Sequence, residues 1–113
     1  MLNTTNIDEI LVVSLKEVSR LNALIAESLK ENFLGIFKKP NTRVIFNFKG
    51  ISFIDSSGFG ALLTAVKAAD NNHGQFKICS VSPEVRELFK LLQLHHVFEI
   101  YDELEPCLES FNQ

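Results

Sequence analysis

The apolar positions change period several times along this chain, and each change marks an element. Ile10-Leu11-Val12-Val13-Ser14-Leu15 is an almost unbroken apolar run of strand length. The polar stretch Asn3 to Asn6 before it is short enough to be a first edge strand. Asp8-Glu9 between them reads as a turn, which makes an N-terminal hairpin. Leu21, Leu24, Ile25, Leu29, Phe33 and Ile36 then recur at spacings of three and four, the signature of an amphipathic helix. Asn22, Glu27, Lys30 and Glu31 fall on its wet side, and Pro40-Asn41 stops it. Val44-Ile45-Phe46-Asn47-Phe48 is apolar on both faces, which predicts a central strand with helices on each side.

After Gly50, Ile51-Ser52-Phe53-Ile54 predicts a further extended, buried segment. The pattern then breaks at Asp55-Ser56-Ser57-Gly58 and resumes at helical spacing with Phe59, Leu62, Leu63, Val66 and Ala69. Asn71-Asn72-His73-Gly74 ends that helix with residues that tolerate positive φ. Gln75 to Val81 alternates like a strand. Ser82-Pro83-Glu84 reads as a cap, a proline in the first turn and an acid at the positive helix end. Val85, Leu88, Phe89 and Leu92 give the following helix its apolar face. Phe98 to Tyr101 predicts a short strand, and Leu104, Leu108 and Phe111 a final short helix. Strands alternating with helices imply crossovers and an α/β fold. The expectation is a mostly parallel sheet of about five strands with four helices and an antiparallel N-terminal edge strand.

Composition narrows the classes. A chain of 113 residues with 46% hydrophobic and 22% charged residues predicts one globular domain spanning 1–113. The net charge is -3 and no basic cluster is present, which argues against nucleic acid as a partner. No apolar run approaches the roughly 20 residues of a membrane span, so no membrane is expected. The N-terminus lacks a basic segment followed by an apolar core, which points to a cytoplasmic protein. Cys79 and Cys107 stand in no metal spacing and read as two reduced, buried thiols. His95-His96 has no third ligand in view and reads as a turn, so neither metal nor cofactor is expected.

The Asp55-Ser56-Ser57-Gly58 junction carries the only candidate chemistry. It lies where a strand gives way to a helix, the place where sites gather in open α/β sheets. One reading is structural: Ser56 or Ser57 caps the helix, and Asp55 favours its positive end. A serine hydrolase is a poor second. Its nucleophile elbow needs Gly-x-Ser-x-Gly, whereas Ile54 and Asp55 occupy the positions two before each serine, and His73, His95 and His96 have no evident acid. A nucleotide loop is weak too, because Gly58 and Gly60 are followed by Leu63 where a third glycine belongs. The remaining reading is a switch. A serine at an exposed helix start can take a phosphate, and the added charge would repel a docked partner.

"FIDSSGFGALL", preceded by "VIFNFKG" and followed by "KICSVSPEVRELFKLLQLHHVFEIYDELEPCL", resembles the STAS domain and, more closely, the anti-sigma factor antagonists of bacteria. The resemblance covers nearly the whole chain. It implies a STAS-like single domain that is not an enzyme. It further implies that the unphosphorylated chain binds an anti-sigma factor, itself a serine kinase of the histidine-kinase-like ATPase type, and so frees a sigma factor. Phosphorylation of the serine after the motif aspartate, here Ser56, would end the interaction, and a PP2C-type phosphatase would restore it. Asp55, Ser57 and Gly58 would shape the docking site, Phe59 would add apolar contact, and Ser19 would face the partner from the loop before the first helix. Many antagonists carry Gly-x-Leu-Asp in that loop, and here Lys16-Glu17-Val18-Ser19 stands in its place. The alternative is a STAS scaffold, or a subunit of another signalling or lipid-transport assembly, without a phosphoswitch. A weak homodimer is left open as a further possibility.

Overall fold

A computed structural model describes residues 2–112. The chain opens with a hairpin of β1 (Leu2–Ile7) and β2 (Ile10–Leu15), antiparallel from Leu2↔Leu15 to Ile7↔Ile10. Its two-residue turn places both Asp8 and Glu9 at positive φ, 51° and 67°. Such a turn twists in the same sense as the strands it joins. The strands β4 (Arg43–Asn47), β6 (Gln75–Cys79) and β7 (Glu99–Tyr101) follow in parallel, and the main sheet runs β1-β2-β4-β6-β7. The five strands, the parallel majority and the antiparallel edge agree with the sequence pattern.

A second sheet of only two rungs was not foreseen. β3 (Arg20–Leu21) and β5 (Phe53–Ile54) pair in parallel, with Arg20 opposite Phe53 and Leu21 opposite Ile54. The helically spaced apolar pattern from Leu21 therefore includes a strand residue. The helix α1 (Ala23–Ile36) starts later, with Asn22 as its cap accepting from the Leu24 amide. The shift turns Leu24, expected in the core, out to solvent at 89% exposure. Helix α2 (Ser56–Asn71) follows β5, α3 (Pro83–Leu91) joins β6 to β7, and α4 (Leu104–Ser110) closes the chain. The expected last strand starts one residue late, because Phe98 turns into the core instead of joining the ladder.

The helices divide unequally between the faces of the sheet. α1, α2 and α3 share one core with Val13, Val44, Phe46 and Ile78, while the opposite face, with Val12, Ile45 and Cys79, is covered by α4. Coverage on each side of β4 is thus as expected, but one short helix supplies all of it on the second face. Lys77 helps hold α4 there. Its ammonium donates to Ser110 Oγ at 2.8 Å and lies 4.2 Å over the Phe111 ring. Cys79 and Cys107 are buried free thiols in this layer. The hydrogen bond that Cys107 donates to the Cys79 sulfur, with burial, pushes the Cys107 thiol up, so it stays protonated at neutral pH.

The larger core is built on phenylalanine. Phe33 of α1 meets Phe46 edge-on at 5.7 Å, and Phe46 meets Phe48 at 4.9 Å. Phe89 of α3 then contacts Phe48, Phe98 and Phe59 with centroids 4.9 to 6.2 Å apart. Phe89 therefore ties α3 to the sheet and to the start of α2. Phe89→Ala is expected to cost about 3–5 kcal/mol in a urea titration, as buried phenylalanine truncations do.

Candidate docking and phosphorylation site

The start of α2 is positioned by the two-rung sheet. Leu21 and Ile54 are both buried, and the Asp55 amide donates to the Leu21 carbonyl at 3.1 Å. The ladder brings the two helix starts side by side, with Asn22-Ala23 after one strand and Asp55-Ser56 after the other. At Gly58 the backbone of α2 presses against β3. An added Cβ there would lie 2.5 Å from the Leu21 carbonyl oxygen and 2.7 Å from Ile54 Cγ1. Only glycine permits that approach. Gly58 is buried, so its place in the site is to set the position of the turn, not to touch a partner.

The cap of α2 is Asp55. Its Oδ1 accepts from the Gly58 amide at 3.0 Å, and its extended backbone (φ -107°, ψ -175°) suits a capping residue. This corrects the expectation that Ser56 or Ser57 caps the helix. A carboxylate reaches the third amide of the turn as well as a hydroxyl does and also favours the positive helix end. Ser56, the first helical residue, is exposed, and its hydroxyl bonds to none of the described residues. Ser57 is half-buried. The amides of Ser56 and Ser57 have no backbone partner among the described residues, so the helix start keeps two free donors beside the Ser56 hydroxyl.

Phe59 does not offer the apolar surface expected of it. It is 4% exposed and its ring stands 4.9 Å from Phe89, nearly perpendicular to it. The reason is helical geometry. Phe59 lies one turn after Asp55 on the stripe that continues through Leu62, and that stripe faces the sheet. Ser19 is exposed in the loop before β3. Its carbonyl accepts the Ser52 amide at 2.8 Å, so it flanks the small sheet at the end opposite Ser56. Sequence reasoning passed over other exposed side chains on and beside the small sheet. Arg20 stacks its guanidinium 4.2 Å above the half-buried Phe53 ring, and Leu24 stands at the neighbouring helix start. Sequence held one clue to them: Arg20 and Phe53 flank the apolar pair Leu21 and Ile54, but only pairing reveals that they meet. His95 and His96 stack on each other at 3.9 Å in the exposed turn before β7.

A family model described as the STAS domain matches residues 1–107. The chain belongs to the STAS domain family. Among curated relatives, BtrV of Bordetella bronchiseptica, named provisionally as an anti-sigma factor antagonist, is 26% identical over 110 residues, covering 97% of this chain and 93% of that one. An anti-sigma F factor antagonist of Paenibacillus polymyxa is 32% identical over 67 residues, 59% of this chain and 57% of that one. Among solved structures, the anti-sigma factor antagonist SpoIIAA in its unphosphorylated form superposes with a TM-score of 0.80 at 23% identity, covering 99% of this chain and 96% of that one. The phosphorylated form of SpoIIAA from Bacillus gives 0.70 at 20% identity, covering 98% of this chain and 99% of that one. This STAS domain therefore shares the fold of a protein solved with and without a phosphate.

Two outcomes test the local geometry. Asp55→Ala should lower stability by about 1 kcal/mol through loss of the cap, while Ser57→Ala leaves the melting temperature nearly unchanged. Gly58→Ala should cost about 2 kcal/mol or more, read by urea denaturation, because the clash is with a backbone carbonyl that cannot rotate away.

Proposed function

We propose that this STAS domain is an anti-sigma factor antagonist switched by phosphorylation of Ser56. In this reading the unphosphorylated chain docks, through the surface around the α2 start, on an anti-sigma factor that is also a serine kinase of the histidine-kinase-like ATPase type. Docking frees the sigma factor. The kinase transfers the γ-phosphoryl group of ATP to the Ser56 hydroxyl, which loses its proton as the new phosphoester bond forms and ADP leaves. A PP2C-type phosphatase hydrolyses that ester and resets the protein. The domain contributes no catalytic group of its own.

One observation carries this reading: the Ser56 hydroxyl is exposed and uncommitted at the mouth of α2 because Asp55 has taken the cap. The names of the relatives and the two forms of SpoIIAA support it. A phosphate adds about 1.5 to 2 negative charges at neutral pH. Within the chain, the free amides of Ser56 and Ser57 and the positive helix end accept that charge, and the Asp55 carboxylate opposes it only in part. A protein packed against the helix start has to desolvate the dianion, so binding is lost while the fold persists. Ser19 and the Arg20–Phe53 stack border the docking surface, Asp55 and Gly58 hold its shape, and Phe59 supports it from the core.

The test is intact-mass analysis after incubation with Mg-ATP and each candidate anti-sigma kinase from the same genome. The wild type should gain one phosphate and Ser56→Ala none. Ser56→Asp should weaken binding to the same kinase at least about tenfold with an unchanged circular dichroism spectrum. Phosphate on Ser56→Ala, or loss of the folded signal in Ser56→Asp, would overturn the assignment.

A further inference from the structure

The two edges of the main sheet are unlike. β7 offers three residues, and its Glu99 is paired with Lys77 at 3.3 Å. β1 offers six, and the side chains from Asn3 to Asn6 are all exposed. Open edges are usually blunted by a charge, a proline or a bulge, because a row of free amides and carbonyls attracts another strand. From Leu2 to Ile7, β1 has no charge and no proline, and its ladder to β2 runs through six consecutive pairs without a bulge.

Hairpin geometry fixes which groups are free. A two-residue turn of this kind is closed by a hydrogen-bonded pair, here Ile7 with Ile10. The alternation then directs the amides and carbonyls of Asn3, Thr5 and Ile7 toward β2. Those of Leu2, Thr4 and Asn6 point outward. Antiparallel pairing of β1 with a copy of itself must set outward residues opposite outward residues. The register centred on Thr4 does so: Thr4 faces Thr4 of the second copy, Leu2 faces Asn6, and Asn3 faces Thr5. A two-fold axis passes through the Thr4 pair, as an isologous dimer requires. The ladder sets no charge against a like charge, and it places two threonines side by side, a favourable cross-strand pair.

We propose that β1 is a self-association edge on which a second copy of this chain pairs antiparallel through Thr4, joining two five-stranded sheets into one. Three outward pairs, each exchanging two bonds, give about six intermolecular hydrogen bonds. So narrow an interface buries less than the roughly 1,200–2,000 Å² of a stable complex, so the dimer is weak and forms at high concentration. The edge lies outside the α2 start, so this inference does not depend on the role of Ser56.

Sedimentation velocity between about 20 µM and 1 mM tests it. The wild-type sedimentation coefficient should rise with concentration toward that of a dimer. Thr4→Lys and Thr4→Asp should each stay monomeric, since each sets two like charges opposite one another across the axis. An equimolar mixture of the two variants should recover the dimer, because the lysine then meets an aspartate. Recovery on mixing excludes misfolding as the cause of the loss. A wild type that stays monomeric at 1 mM, which would leave the edge to a different chain, overturns the proposal. So does dimerisation of Thr4→Lys alone, or failure of the mixture to associate.

Discussion

The position of the surface serine depends on a ladder of two rungs. Arg20–Leu21 and Phe53–Ile54 make a sheet far too small to be stable alone. It persists because Leu21 and Ile54 are buried beneath it, each burial contributing about 1.5–3 kcal/mol. The ladder, the Asp55–Leu21 hydrogen bond and the close approach at Gly58 act as one device. Together they lock the first turn of α2 against the strand that leads into α1. Residues more than thirty positions apart thereby become one surface.

Within that surface the roles are divided by chemistry. A carboxylate takes the cap, since it accepts a hydrogen bond and complements the helix dipole at the same time. The adjacent hydroxyl is thereby released from structural duty. Had Ser56 been the cap, modifying its oxygen would have broken the helix start along with any interface. The arrangement instead lets charge change at the surface while the backbone beneath it is held by bonds that do not involve Ser56.

The two faces of the sheet differ in how they resist disturbance. The face behind α2 is a continuous stack of rings reaching from Phe33 to Phe98, and it backs the start of α2 with a stiff wall. The other face relies on one short helix, a buried lysine and two thiols. Movement at the α2 start is accordingly opposed by aromatic packing on three elements.

The alternation of strands and helices, the antiparallel N-terminal hairpin, the turn at Asp8-Glu9 and the cap of α3 at Ser82 were all legible in the sequence. Each depends on local periodicity or on the dihedral preferences of a few neighbouring residues. The STAS resemblance was legible in the same way, from one contiguous motif and its flanks. Tertiary structure alone decided which of three polar residues caps α2, because Asp55, Ser56 and Ser57 are all competent and the backbone direction leaving β5 selects among them. It also decided that Leu21 is a strand residue, that Leu24 faces water and that Phe59 faces the core. These depend on where a helix begins relative to its neighbours. That start is set here by the pairing of two dipeptides distant in sequence, a contact that leaves no period in either one.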